Sequence, residues 1–238
     1  MHDIWHGDSR DLCKVLPEGS VNCIITDPPF GIDAISNQAR TEHGKKYARK
    51  IANDETPEQA LGVFSEVMDV LLPKTTPDCD MYIFTAWSVL DSWIPYIKSL
   101  EESHGFVYKN LLIWEKNGSS MGDLNAWGTS YEVIFFLKKG KRERTDKRRP
   151  GVINVAQIPA HKLIHPHEKP TQLLDILLKH STSKGDLVVD PFGGSGSLVR
   201  AARELERDAI AIEYDEENYA KALLSLELSA SLFVELAE

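Results

Sequence analysis

Two short segments bring together residue types that could do chemistry on a small planar substrate. In Asp27-Pro28-Pro29-Phe30 the prolines hold a rigid, extended corner and remove two N–H donors, leaving carbonyl acceptors facing outward. An aspartate beside such carbonyls, followed by an aromatic ring, suits a planar substrate bearing an NH2 group. Asp27 Oδ and the Pro28 carbonyl can accept its two hydrogens, which draws the nitrogen lone pair out of conjugation and makes it nucleophilic. Phe30 offers a face for stacking on the ring. Taken alone, the same residues also read as a Pro-Pro turn with a local aspartate cap.

The second segment is Asp190-Pro191-Phe192-Gly193-Gly194-Ser195-Gly196-Ser197, which follows an apolar run and opens an amphipathic one. Glycines there let the backbone pass close to a ligand and supply bare N–H groups at a helix N-terminus. Glu213 ends the next apolar run, where an acidic side chain can accept both ribose hydroxyls of a nucleotide-like cofactor. No third glycine stands at the offset a GxGxxG turn needs, which disfavours a dinucleotide pyrophosphate.

Both segments need strands behind them, and the pattern supplies these. Val21–Thr26, Met81–Thr85, Leu111–Trp114, Glu132–Leu137, Leu187–Asp190 and Ala209–Glu213 are short apolar runs, and Asp3–His6 adds a further one. Between them Leu61, Phe64, Val67, Met68, Leu71 and Leu72 recur at helical spacing, with Pro73 as a stop. Leu198, Ala201, Ala202 and Leu205 do the same after the glycine turn. Tyr219, Leu223, Leu226, Ala230 and Phe233 mark a terminal helix. The alternation predicts one α/β domain over residues 1–238, with a seven-stranded, mostly parallel sheet and helices on both faces. Gly31–Asn53 and Gly140–Pro166 resist assignment, and segments this long inside a compact domain are usually functional loops. Residues 31–55 are expected to form a mobile loop after the first turn.

Apolar residues make up 42% and charged residues 26% of the 238, so a disordered or fibrous chain is excluded. Cys13, Cys23 and Cys79 lie far apart with no CxxC, so neither a zinc ribbon nor a disulfide framework is encoded. The opening residues lack a signal pattern and no run nears 18 apolar residues, so a cytoplasmic protein without membrane partners is expected. His161, His165 and His167 read as loop histidines, so no metal is expected. Trp5, Trp93, Trp114 and Trp127 read mostly as core residues, and Trp87 as either core or pocket wall.

A net charge of −9 argues against blanket binding to a polyanion. The charge is uneven, however: Lys138 to Arg149 carries eight basic and two acidic residues. Such a patch can hold nucleic acid locally, or simply be a solvated loop.

The proline turn and the glycine turn, in this order, resemble the amino-group DNA methyltransferases of the permuted β class, and the resemblance covers nearly the whole chain. It implies a Rossmann-like fold, S-adenosylmethionine as cofactor, and methylation of N6 of an adenine flipped out of double-stranded DNA. Asp27, Pro28, Pro29 and Phe30 become the catalytic turn. Asp190, Phe192, Gly193, Gly194, Ser195, Gly196 and Glu213 become the cofactor site, with Asp27 carrying negative charge beside the sulfonium. His6-Gly7-Asp8-Ser9 resembles the segment whose aspartate contacts the cofactor adenine, which assigns Asp8. His167-Glu168-Lys169-Pro170-Thr171 resembles the element closing the pocket near the methionine end, which assigns Lys169 and Pro170. Residues 138–165 become the target-recognition insertion, with Lys141, Arg142, Arg148 and Arg149 on phosphates. Phe30 stands where tyrosine is commoner, which keeps the stacking face and loses a hydroxyl. N4 of cytosine, RNA as substrate and a non-catalytic regulatory relative are the alternatives. The resemblance also leaves open a homodimer and a cognate restriction nuclease.

Overall fold

The computed structural model describes residues 1–33, 51–118, 125–142, 148–159, 163 and 168–235, and the side chains of 228–235 fall outside that description. Eight strands are described: β1 (His2–His6), β2 (Val21–Thr26), β3 (Thr75–Thr85), β4 (Val107–Glu115), β5 (Tyr131–Lys139), β6 (Val152–Asn154), β7 (Leu187–Asp190) and β8 (Asp208–Glu213). They form one sheet in the order β1-β8-β7-β2-β3-β5-β4-β6. Every neighbouring pair is parallel except those made by β5, which runs against both β3 and β4.

The seven strands expected from the apolar runs are all present, and the sheet has an eighth. Val152-Ile153-Asn154 pairs with Ile113-Trp114-Glu115 of β4. Three residues beside a basic run carry too little alternation to announce a strand; the exposed edge of β4 makes it one. β3 also starts at Thr75, ahead of the expected Met81. Pro77, Asp78 and Asp80 break the apolar pattern there, but Asp80 is buried and its Oδ2 accepts a 2.6 Å hydrogen bond from Ser181.

Helices cover both faces. On one lie α1 (Ser9–Leu12), α2 (Pro57–Leu71) and α3 (Leu90–His104); on the other lie α4 (Thr171–Ser181), α5 (Ser197–Glu204) and α6 (Glu216–Glu235). The period-two alternation of the strands feeds both cores: Met81 and Ile83 point to the first, Tyr82 and Phe84 to the second. Thr56 caps α2, with Pro57 in its first turn, and Phe64, Val67, Met68 and Leu71 are buried along its inner face. Each such side chain contributes about 1.5–3 kcal/mol relative to exposure. No described helix is long and apolar enough to cross a membrane.

The topology decides where a ligand can go. β2 and β7 are neighbours, yet from β2 the chain moves outward to β3 and from β7 it moves outward to β8. The crevice outside the carboxyl ends of such a pair is the binding position of open α/β sheets.

Candidate active site and cofactor cavity

A cavity of about 900 Å³ opens at that crevice, roughly the upper end of the size range of small-molecule sites. Its walls come from chain-distant turns: Asp8 after β1, Asp27 to Phe30 after β2, Phe84 on β3 and Lys116 after β4. Glu132 on β5, Asp190 to Ser195 after β7, and Glu213 to Asp215 after β8 complete it, with Lys169 ahead of α4. The proline turn expected to be catalytic and the glycine turn are thus brought together. Pro170 and Gly196 are buried beside this wall rather than on it.

The glycine turn is shaped by what it must pass. A Cβ on Gly193 would come within 2.9 Å of Ala211 Cβ on β8, and Gly193 N–H donates to the Ile212 carbonyl at 2.7 Å. Gly196 holds φ +68°, and a Cβ there would meet Ile4 Cδ1 at 2.7 Å. A larger residue at 193 pushes the turn off β8, and at 196 it strains a backbone held at positive φ while crowding the Ile4 side chain. Glu213 Oε2 accepts the Gly194 N–H at 2.8 Å and Oε1 accepts that of Asp215 at 2.8 Å. Burial pushes its carboxyl above the ordinary range, against those hydrogen bonds. Asp8 caps α1 and is engaged by Arg10, which also reaches Glu66 at 2.8 Å.

Asp190 is placed differently from an exposed ligand contact. It is buried, and its Oδ1 accepts hydrogen bonds from Thr26 Oγ1 at 2.9 Å and the Phe192 N–H at 3.0 Å. It therefore ties the end of β7 to the residue before Asp27. Burial pushes its carboxyl up to about 7, with the charges of Asp27 and Glu213 adding to the rise and the two hydrogen bonds opposing it. A carboxyl raised on folding binds more protons folded than unfolded, so its contribution to stability falls as pH rises from about 4 to about 7 and is level above. Asp190→Asn keeps an acceptor oxygen and removes the titration. Urea midpoints of that variant are expected to decline less than those of the parent across this window; parallel curves would show that Asp190 ionises as an ordinary carboxylate.

The catalytic turn is held by a residue that no motif signalled. Asp54 Oδ1 accepts the N–H groups of Phe30 at 2.8 Å and Gly31 at 2.7 Å, and Asp54 is buried. Gly31 has φ +82°, and a Cβ there would lie 2.3 Å from Pro57 N, so this turn is wedged against the start of α2. The Phe30 carbonyl accepts from Trp93 Nε1 at 3.4 Å.

Lys169, assigned from sequence to the cofactor, lines the cavity and makes its ion pairs with Asp27 and Glu132. Its Nζ lies 2.7 Å from Asp27 Oδ2 and 3.1 Å from Glu132 Oε2, and Lys116 Nζ pairs with Glu132 Oε1. Burial works against the charge on Glu132, but the ammonium groups of Lys169 and Lys116 outweigh it and hold that carboxyl below its ordinary range. Ahead of Lys169, the Glu168 carboxylate pairs with buried Arg200 of α5 at 2.5 Å; Arg200 also donates to the Ser195 carbonyl at 2.7 Å and Ser225 Oγ at 2.8 Å. Lys116, Glu132, Asp54 and Arg200 were missed as site residues. The nearest signals were Trp114-Glu115-Lys116 and Tyr131-Glu132-Val133-Ile134, which fall where the resembling family has the later strands of its catalytic half, with no role given to Lys116 or Glu132.

The basic run is not a single patch at this cavity. Lys141 N–H donates to Asp78 Oδ1 at 2.7 Å, and Arg142 pairs with Asp186, so both lie at the amino edge of the parallel strands. That is the far end of the sheet from Asp27. Arg148 and Arg149 lead into β6, beside the outer edge of β4, and none of the four lines the cavity. Residues 34–50, most of the expected mobile loop, and His161, His165 and His167 lie outside the described residues. Trp93 and Trp114 are core residues as expected, but Trp127 is 99% exposed and Trp87 is 56% exposed, so neither packs inside.

The cavity's charge states what it can hold. Asp8, Asp27, Asp54, Glu132, Asp190, Glu213 and Asp215 face Arg10, Lys116 and Lys169. An acidic surplus suits a cationic ligand and disfavours a pyrophosphate. With the bare glycine turn and Glu213 at one end, the donors and acceptors fit a nucleoside carrying a cationic tail.

Comparison with known proteins agrees with this geometry. The chain is 29% identical over 211 residues to the methylase YubD of Escherichia coli K12, covering 89% of this chain and 84% of that protein. It is 25% identical to the DNA adenine methyltransferase YhdJ of the same organism, covering 95% and 83%. It is also 26% identical to the type II methyltransferase M.HpaI of Haemophilus parainfluenzae, covering 88% and 71%. In fold it is similar to M1.HpyAVI, solved as a SAM complex, with TM-score 0.68, 23% identity and coverage of 95% and 99%. The cytosine-N4-specific PvuII DNA methyltransferase superposes with TM-score 0.70, 18% identity and coverage of 93% and 84%. Residues 21–224 match the DNA methylase profile of the N6/N4 methyltransferases, so the chain belongs to that family of S-adenosylmethionine-dependent DNA amino-methyltransferases.

Proposed function

We propose that this protein transfers a methyl group from S-adenosylmethionine to N6 of an adenine flipped out of double-stranded DNA. The observation that carries this is the meeting of Asp27 and the glycine turn across one acidic cavity. A base inside a duplex cannot reach such a recess, so flipping is required. When bound, the cofactor supplies an electrophilic methyl group on a sulfonium.

Asp27 and the Pro28 carbonyl accept the two amine hydrogens, and Phe30 stacks on the ring. Transfer would join that nitrogen to the methyl carbon as the carbon–sulfur bond breaks, leaving the electron pair on sulfur, and the Asp27 carboxylate would take the proton that the nitrogen sheds. Alignment contributes most of the acceleration, and negative charge beside a developing cation adds to it. Glu213, at the opposite end, holds the ribose hydroxyls, and Asp8 the cofactor adenine.

Aspartate at the head of the catalytic turn favours adenine in the resembling family, where serine accompanies cytosine N4. Adenine and cytosine present the same NH2 group on an aromatic ring, so the choice rests on that motif. Duplex DNA methylated by the protein and digested to nucleosides should yield N6-methyl-2′-deoxyadenosine by mass spectrometry. N4-methyl-2′-deoxycytidine alone would overturn the substrate assignment, and no methylated base would overturn the activity.

Glu213→Ala is expected to weaken S-adenosylhomocysteine binding by about 1.5–3 kcal/mol, the range for hydrogen bonds to a charged group. Calorimetric titration decides this, and unchanged affinity would leave Glu213 as a brace for Gly194 only.

For DNA, the recognition segment 138–165 is proposed to act through its later part. Neutralising Arg148 and Arg149 should flatten the dependence of log affinity on log salt by about 0.9 per lost phosphate contact. Neutralising Lys141 and Arg142 should leave that slope alone, because both lie at the opposite edge of the sheet, where the Lys141 backbone is tied to Asp78 and the Arg142 guanidinium pairs with Asp186. The reverse result would place DNA against the amino edge. A cognate nuclease and a homodimer remain compatible with this activity.

A further inference from the structure

Lys169 is buried, and its contacts lie on the catalytic half of the cavity. Its ammonium sits between Asp27 and Glu132, 5.0 Å from the ring centroid of Phe84 and 5.9 Å from that of Trp114. None of these groups belongs to the glycine turn or to β8. Glu132 is itself gripped from its other oxygen by Lys116. Burial alone would drive the proton off Lys169, but the two carboxylates outweigh it and keep the ammonium charged.

We propose that Lys169 is the positioning residue of the catalytic carboxylate: an ammonium locked in place by Glu132, Lys116 and two aromatic faces, which fixes Asp27 in its ionised form. This rests on the methyltransferase assignment for its consequence, though the pairing itself does not. The need follows from the surroundings of Asp27. Glu132 from β5 and Asp190 from β7 are acidic neighbours, Lys169 sets an ammonium 2.7 Å from the Asp27 Oδ2, and Lys116 is directed to Glu132. With that ammonium removed, the charges of Asp27 and Glu132 would face each other with less cation between them, which favours uptake of a proton and costs the amine its acceptor.

Two measurements test this, one of them without catalysis. In the protein without cofactor, Lys169→Met leaves Asp27 and Glu132 as adjacent, partly buried acids that have lost the ammonium between them, which raises their proton affinity. Its denaturation midpoint should then fall more steeply than the parent's as pH rises above about 4. Adding Asp27→Asn should restore most of the parental slope; failure to do so overturns the pairing. In methyl transfer, Lys169→Met should move the rising limb of kcat against pH upward by about 1–3 units, the usual effect of a cation on a neighbouring carboxylate. Lys169→Arg should keep the limb near its parental position. Affinity for S-adenosylhomocysteine should stay within about threefold in both. A tenfold loss of that affinity with the limb in place would return Lys169 to the cofactor and overturn the proposal. Lys169→Gln serves the same comparisons where the methionine variant does not fold. If the parent transfers no methyl group to DNA, the functional assignment fails, while the titration without cofactor still decides whether Lys169 holds Asp27.

Discussion

Asp27→Ala is expected to abolish methyl transfer, with a loss on the order of 10³-fold or more, while S-adenosylhomocysteine affinity stays within about a few-fold. Asp27 reaches into the cavity from the end of β2, whereas the hydrogen-bonding groups placed for a nucleoside, Gly194 and Glu213, lie at the ends of β7 and β8. In the proposed mechanism the carboxylate acts on the incoming amine, so its loss leaves that nitrogen conjugated with its ring and poorly aligned. The variant also leaves Lys169 with Glu132 as its one carboxylate partner among the contacts described. S-adenosylmethionine, which carries the sulfonium charge, should therefore lose more affinity than S-adenosylhomocysteine. Paired calorimetric titrations with the two ligands measure this, alongside single-turnover transfer to duplex DNA. Loss of all ligand binding in a folded variant would place Asp27 in the cofactor site rather than at the target amine.

Arg200→Ala is expected to give the largest loss of stability, about 3–5 kcal/mol, the range for removing one partner of a buried ion pair. Arg200 and Glu168 have side-chain exposures of 9% and 6%, so water cannot replace the guanidinium. The Ser195 carbonyl and Ser225 Oγ lose their donor at the same time. Because Arg200 joins the glycine turn to the residue before Lys169, cofactor affinity and methyl transfer should both fall in whatever fraction remains folded. Urea denaturation checks the first part. A loss below about 1 kcal/mol, the worth of an exposed pair, would mean that the remaining contacts of Glu168, or water, compensate its charge.

Much of this protein was legible from its sequence because the decisive groups sit in short, locally determined turns. Two prolines fix the shape of the catalytic corner whatever surrounds it, and the glycines after β7 are required by close passage to neighbouring strands. Seven strands and the helices α2, α5 and α6 follow from period-two and period-3.6 burial, which depends on which residues face the core, whereas α3 was not among the expected elements. β6 did not follow, since three residues become a strand only when β4 offers an unpaired edge. The amino-edge position of Lys141 and Arg142 was equally hidden. Charge along a sequence carries no direction, and β5 runs antiparallel, delivering the run that follows it to the edge away from the cavity.

The sequence by itself determined the chemistry on offer: an aspartate and a carbonyl for an amine, an aromatic face, and a bare turn with an acid beyond it for a nucleoside. Only the tertiary structure decided who holds these groups. Lys169, Glu132, Lys116, Asp54 and Arg200 come from separate elements, and their partners lie far away along the chain. Pairing between charges depends on distance and burial in space, and the sheet order that brings β2, β5 and β7 to one crevice is a property of the whole fold.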